Sequence, residues 1–365
     1  MTDDSAKLVA VSEAIDSLCT IEITGRGVVG ALAAAARAAQ GGALCLRAAR
    51  ELARRVQPGD TVVIATGLPT YPWFCGEQDG PVGAATLARA LVLGLAARPV
   101  IVTEAIHVDM CRAAVRGAGL YARGVDDALR LPTTVGVVEF PTDPERADRE
   151  ATRLLERLRP KAMIAIERPG ANEHGHYHAS KGYRLTDHCA KIDGLFARGK
   201  AAGVYTVGIG DGGNELGCAV IRDTVVARVP YGAKCQCPCA GSVVPAFVPD
   251  HLVIAAISNW GAYGIEAALG LVLERRELVH DRDLDRRVHE LCAAAEANNN
   301  GPGLLDPGTD AVPTEVHGDF VRLLGFMIQS GIDFGRLYKE PRYPWLRHVE
   351  APSGRSPAQR EDIPR

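Results

Sequence analysis

YTVGIGDGGNELG, residues 205–217, joins a run of β-favouring residues to a turn that holds three glycines, Asp211, Asn214 and Glu215. The run does not alternate apolar with polar residues. Both of its faces are therefore expected to be buried, as in a strand inside a parallel sheet. Five further runs have the same form: TVVIATG (61–67), PVIVTE (99–104), TVGVVEF (134–140), AMIAIERPG (162–170) and HLVIAAISNWG (251–261). Each leads into a polar or glycine-containing turn. Helical patterns lie between them. AATLARALVLGLAA (84–97) is built of helix formers, and DREATRLLERLR (148–159) sets Leu154, Leu155 and Leu158 on one face with charges opposite. This alternation predicts an α/β fold: a mostly parallel, doubly wound sheet with helices on both faces, a Rossmann-like three-layer architecture.

Residues 1–349 are read as one α/β domain, in which 12–57 form a mainly helical N-terminal segment. The Gly/Pro/Asp-rich stretch NNNGPGLLDPGTDAVP (298–313) is a connector leading to a last helix near 314–330. The polar residues 350–365 are expected to form a disordered tail. Residues 251–273 are long enough to span a bilayer, but Ser258-Asn259-Trp260-Gly261 interrupts them and Glu266 follows. They read instead as a buried strand, a polar turn and a core helix. A net charge of −3 and an aromatic content of 5% argue against nucleic acid as a partner. The opening MTDDSAKLVA lacks the apolar core of a signal peptide, so a cytoplasmic protein with reduced thiols is expected. Neither a membrane nor a nucleic acid is an expected partner, and a homo-oligomer is compatible with the sequence.

In open parallel sheets, ligands bind beyond the carboxyl ends of the strands. The polar residues that follow each run therefore share one candidate cleft: Glu77 and Asp79, Glu104, Glu139, then Glu167, Arg168 and Asn172, then Asp211, Asn214 and Glu215, and finally Ser258, Asn259 and Trp260. A single carboxylate at a strand end is commonly a helix cap, so the convergence carries the argument. Gly210, Gly212 and Gly213 let the backbone approach a ligand or ion. Asp211 and Glu215, with Glu77 and Asp79, offer oxygen donors suited to Mg²⁺ or Mn²⁺. A tight strand-to-helix turn capped by Asp211 or Asn214 is the plainer reading of the same residues. His174, His176 and His178 form a His-x-His-x-His run that reads as a solvated loop rather than a zinc site. Cys235, Cys237 and Cys239 are one residue apart, unlike the spacing of zinc knuckles, and read as small packing residues.

GDGGNE resembles the Mg²⁺ loop of haloacid-dehalogenase-type phosphatases. Those enzymes also need an Asp-x-Asp nucleophile at a strand end, and here Asp-x-Asp occurs only in the charged, helical HDRDLDRRVHE (280–290). A longer likeness runs through about residues 12–340. Gly25-Arg26-Gly27, TGLPT (66–70), Glu77 with Asp79-Gly80-Pro81, ERPG (167–170), Gly175-His176-Tyr177-His178, Ile192-Asp193-Gly194, GDGGNE and SNWGAY (258–263) together resemble the C-terminal catalytic domain of the D-glutamate cyclase family. Cys218-Ala219 stands where that family's pattern has Met-Gly, and CQCPC (235–239) is an insertion. The additional N-terminal domain of the larger eukaryotic version is not in this sequence.

The resemblance implies a lyase that interconverts D-glutamate and 5-oxo-D-proline with loss or gain of water, an activity of D-amino acid metabolism. Such a reaction needs a neutral amine, hence a base, and neutralisation of the carboxylate under attack. Asp211, Glu215 and Glu167 are the expected acids and bases, with Arg168 or a divalent metal supplying positive charge. Gly212, Gly213, Asn214, Asn172, Asn259 and Trp260 are expected to bind the amino-acid substrate. The competing readings are a Mg²⁺-dependent phosphatase, a non-catalytic module that binds an amino acid or nucleotide, and another metal-assisted reaction at amino-acid carboxylates or amides.

Overall fold

The computed structural model describes residues 4–337. The expected tail, 350–365, lies outside them. All six sequence runs are strands, and a short edge strand joins them. In chain order they are β1 (Thr61–Thr66), β2 (Arg98–Thr103), β3 (Tyr121–Arg123), β4 (Thr134–Glu139), β5 (Ala162–Ile166), β6 (Tyr205–Gly210) and β7 (His251–Ile254). They form one sheet in the order β3-β4-β2-β1-β5-β6-β7, and every pairing is parallel. The chain leaves β1 toward β2 on one side and later enters β5 on the other. That makes the β1/β5 junction the topological switch point, where the turns beyond the strands diverge and leave a crevice.

Every residue of β1, β5, β6 and β7 is buried. The pleat sorts their side chains into two cores: Val62 and Ile64 of β1 join one, and Val63 and Ala65 join the other. The smaller core is closed by α6 (Val125–Arg130), α7 (Pro144–Leu158) and α8 (Ile192–Ala201). Asp143 caps α7 by accepting from the Arg146 amide at 2.8 Å, and Pro144 occupies the first helical position.

The larger core lies under α1 (Asp4–Cys19), α2 (Val29–Gln40), α3 (Leu44–Arg55), α4 (Pro81–Leu95), α5 (Val108–Gly117), α10 (Ser258–Val272), α11 (Arg282–Ala294) and α12 (Thr314–Leu337); α9 (Arg222–Arg228) packs beside α2. The helix α10 is apolar around nearly its whole circumference and is sandwiched between α3 and α4. A Cβ at Gly264 would come within 2.6 Å of the Cys45 sulfur, which explains how these helices approach so closely. The ambiguous stretch 251–273 is thus β7, a turn and a core helix, and among the described residues no single helix is long and apolar enough to cross a membrane.

Candidate active site

The carboxyl ends of β1, β5, β6 and β7 meet beside the N-termini of α4 and α10. These two helices cap each other. Asp79, just ahead of α4, accepts from the Ser258 and Asn259 amides that open α10, at 3.0 and 2.8 Å. Asn259 returns the interaction: its Oδ1 accepts from the Gly80 and Gly83 amides of α4, at 2.9 and 2.7 Å. Orphan amides of both helix ends are satisfied, and a carboxylate is fixed where two positive dipole ends converge. Gly80 is required here. Its φ is +92°, and a Cβ would lie 2.4 Å from the Thr66 hydroxyl.

Asp79, Glu167 and Asp211 form a buried carboxylate cluster, with one oxygen from each within 4.8 Å of the others. Glu167 follows β5 with φ of +43°, a conformation that costs a non-glycine residue about 1–3 kcal/mol and recurs at functional sites. Its Oε2 accepts from the Ser258 hydroxyl at 2.5 Å. Asp211 receives the Arg26 guanidinium on Oδ1 at 2.9 Å, while its buried Oδ2 has no partner among the described residues. Glu77 and Asp310 lie close enough to act on the same group. Burial, and then mutual repulsion, pushes the carboxyl groups of Glu77, Asp79 and Glu167 well above the usual range. Asp310 rises to about 6, from burial first and then from Asp211. Arg26 is raised as well: burial opposes its charge, but Asp211, Asp310 and Glu167 outweigh that and hold it protonated. So many close acids cannot all be ionised beside one guanidinium. They must share protons or a further cation.

A cavity of about 110 Å³ opens onto this cluster. Arg26, Glu167, Asp211 and Asp310 form its floor, while Ser180, Lys181 and Tyr183 come from a wall loop. A larger cavity, about 450 Å³, lies at the amino edge of the sheet between α3 and Tyr205, lined by Arg47, Arg50 and Arg55. The catalytic-type groups are at the opposite, carboxyl edge, so the smaller cavity is the candidate site.

The structure distributes the residues picked from sequence unevenly. Asp79, Glu167 and Asp211 come together, and Glu77 is buried beside them. Glu215 does not join them. Its carboxylate folds back under its own turn, accepting from the Gly212 and Gly213 amides at 2.8 Å each and from the Cys218 thiol at 3.3 Å. A Cβ at Gly210 would lie 2.6 Å from Glu215 Oε2. Gly210 therefore makes room for Glu215, and the turn amides are already occupied. Arg168 points away from the cavity into an ion pair with Glu104 at 2.5 Å, with further bonds to the carbonyls of Gly67 and Ala190. The cation at the cluster is Arg26, not Arg168.

The remaining candidates do structural work. Asn172 accepts from the His174 and His176 amides and donates to the Ser242 carbonyl. Asn214 donates to the His178 carbonyl, and Asn259 is the helix cap described above. Trp260 is buried, with its indole N–H on His317 and its ring stacked on Phe320 at 4.0 Å. Arg26, in the Gly25-Arg26-Gly27 element, and Asp310, inside the Gly/Pro/Asp-rich connector, carry no strand-end signal in the sequence and yet line the cavity. That stretch folds back through a Gly308–Thr309/Val312–Pro313 hairpin, which places Asp310 at the cavity.

The His-x-His-x-His and CQCPC segments also differ from expectation. His174 is exposed, but His178 is fully buried, with Nε2 facing Cys237 and Cys239. Cys235, Cys237 and Cys239 gather around it instead of dispersing as packing residues. The phosphatase pattern stays absent. Asp281 caps α11 and Asp283 is exposed on it, away from any strand end.

Residues 15–325 match a family model described as D-glutamate cyclase-like, C-terminal. Among characterised proteins, human "D-glutamate cyclase, mitochondrial" is 28% identical over 287 residues, which cover 75% of this chain and 41% of the human protein. The chain thus spans about two-fifths of the length of that relative. It belongs to the family of D-glutamate cyclase-like C-terminal domains.

Proposed function

We propose that this protein is a cyclising lyase that interconverts D-glutamate and 5-oxo-D-proline. The observation that carries the reading is the buried Asp79–Glu167–Asp211 cluster beside Arg26, at the switch point of a chain from this family. Closure forms a bond from the α-nitrogen to Cδ and breaks one Cδ–O bond. Two protons leave the ammonium group and two reach the departing oxygen, which leaves as water. A cluster in which burial and mutual repulsion favour the protonated form of some carboxyl groups beside a guanidinium suits this traffic. In our reading, the unpartnered Asp211 Oδ2 takes a proton from the amine. Glu167, held protonated by burial and by its neighbours, returns one to the departing oxygen. Arg26 and Lys181 offer positive charge to the substrate carboxylates, and the small cavity favours the folded conformer that attack requires.

The all-oxygen donors of Asp79, Glu167 and Asp211 would alternatively hold Mg²⁺ or Mn²⁺ in place of their protons, Glu167 then serving as ligand rather than proton donor, and the raised carboxyl groups of Asp79 and Glu167 fit a site that gains from a cation. When bound, such an ion adds neutralising charge at the carboxylate under attack. We place the protein in the cytoplasm on its ten free cysteines, although the human relative bears a mitochondrial name. The test is a panel of D-glutamate, L-glutamate and 5-oxo-D-proline, each with Mg²⁺, with Mn²⁺ and with chelator. The expected outcome is turnover confined to the D-compounds. No turnover in either direction, or hydrolysis of a phosphate ester instead, would overturn the reading.

A further inference from the structure

His178, Cys235, Cys237 and Cys239 offer one nitrogen and three sulfurs, all within 4.8 Å of one another. The three sulfurs are 3.4, 3.4 and 3.3 Å apart, and His178 Nε2 lies 3.3 and 3.6 Å from Cys237 and Cys239. A disulfide needs sulfurs about 2.05 Å apart, so none of these pairs is bonded. Zinc with Zn–S near 2.3 Å and Zn–N near 2.0 Å sets tetrahedral edges of roughly 3.8 Å between sulfurs and 3.5 Å from sulfur to nitrogen. The three sulfur–sulfur edges are somewhat shorter than that, and the nitrogen edges to Cys237 and Cys239 are close to it. We propose that these four side chains form a structural Cys₃His zinc site.

The local backbone explains how one-residue spacings succeed. The chain curls tightly: the Ala240 amide donates to the Cys237 carbonyl at 3.1 Å, and the Cys235 amide donates to the Gly241 carbonyl at 2.8 Å. Ala240 takes φ of +50° to close the loop. This turns three alternate thiols inward, where an extended strand holding Cys-x-Cys-x-Cys would present them in a line. The histidine arrives from a distant segment. Its carbonyl is held by the Asn214 amide group at 3.0 Å, and its Nε2 faces the Cys237 and Cys239 sulfurs. Three thiols and an imidazole are soft, closed-site ligands. They select zinc over the hard cations suited to the carboxylate cluster, so the two metal preferences are separate.

The position gives the site a purpose. Gln236, between two of the cysteines, donates its amide to the Gly182 carbonyl at 3.0 Å and its side chain to the Lys181 carbonyl at 2.7 Å. Ser180 and Lys181 form part of the cavity wall. Zinc would therefore clip the 235–241 loop to His178 and hold the wall loop of the cavity, adding to the small apolar cluster of Leu68, Tyr177, Leu185 and Cys189 beside it. The inference does not depend on the reaction proposed above.

Untagged protein, purified without chelator, should contain about one zinc per chain by elemental analysis. Cobalt exchanged into the wild type should give thiolate-to-cobalt charge transfer and the intense visible bands of a tetrahedral site. Cys237→Ser should bind less than about one-tenth of the wild-type zinc and should become cleavable by protease within 178–183. Should that variant fail to fold, the wild-type zinc content and cobalt spectrum decide alone. Wild type that holds no stoichiometric zinc after incubation with it would overturn the proposal. So would a cobalt spectrum without thiolate bands, or a folded Cys237→Ser variant that keeps its zinc.

Discussion

Two groups of buried acids sit at the same edge of this sheet and behave in opposite ways. Glu104, at the end of β2, is enclosed by donors. Oε1 receives Arg168 and the Ala190 amide at 2.7 Å, and Oε2 receives the Thr103 hydroxyl and His107 Nδ1 at 3.0 Å. Burial opposes its charge, but Arg168 and His107 outweigh burial and hold the carboxyl well below its ordinary range. Asp79, Glu167 and Asp211 are buried as deeply with far fewer cations, and Glu167 and Asp79 are displaced upward instead. Burial alone thus says little about an acid's purpose. A charge that is matched on every side serves the fold. A surplus of acid around one guanidinium is stable only with protons or a cation present, and such a surplus is useful to a reaction.

The largest effect is expected at Glu104. Glu104→Gln leaves Arg168 buried without a counter-charge and should cost about 3–5 kcal/mol in denaturant unfolding at pH 7. An unchanged midpoint would mean that the pair is not structural. Glu167→Gln tests the surplus. It keeps a carbonyl oxygen for the Ser258 hydroxyl but removes an acid that burial disfavours when charged. The metal-free variant should therefore gain about 1 kcal/mol at pH 8 while losing turnover. A loss of stability would place Glu167 with Glu104 instead.

Titration separates the two groups further. Glu104 is depressed, so its contribution is present above its unfolded value near 4.5 and is lost as pH falls through its lower folded value. Asp310 is raised from 3.8 to about 6, so its contribution is complete below about 4 and is lost as pH rises through 6. A cation held by Asp79, Glu167 and Asp211 must likewise displace the protons that burial and repulsion keep on Asp79 and Glu167. The rise in Tm given by Mn²⁺ should thus grow from pH 5 to pH 8, and a flat response would remove the carboxylates as its ligands. The smallest effect belongs to Asp283→Asn. Asp283 is exposed on α11 beside Arg286, and its replacement should change stability by less than about 0.5 kcal/mol and leave turnover alone.

The fold was legible because the long strands are buried on both faces over all or most of their length and so read as unbroken apolar runs. The edge strand β3 was not, since Tyr121 and Arg123 are exposed and only three residues pair. At the site, chemistry was readable and direction was not. Residues after a strand end can point into the crevice or back into the protein, and sequence does not distinguish Asp211 from Glu215 or Glu167 from Arg168. Partners decided it: Glu104 drew Arg168 away, and the glycine turn folded around Glu215. Arg26 and Asp310 come from segments more than 180 residues apart from Asp211 or outside the strand pattern altogether, so no spacing rule leads to them. The Cys₃His group was hidden for the same reason, because its histidine lies 57 residues before its first cysteine.

The central claim is that the unbalanced acids are the working centre, and Asp211→Asn tests it most directly. The substitution keeps the size of the side chain, including an oxygen for Arg26, and removes the charge of the carboxylate whose Oδ2 has no partner. Steady-state kcat/KM for D-glutamate and for 5-oxo-D-proline should be measured beside the Tm, in wild type and variant. The account predicts a loss of about a hundredfold or more, equivalent to about 3 kcal/mol of transition-state stabilisation, with Tm unchanged or raised. Wild-type turnover that Asp211→Asn retains in full would contradict it.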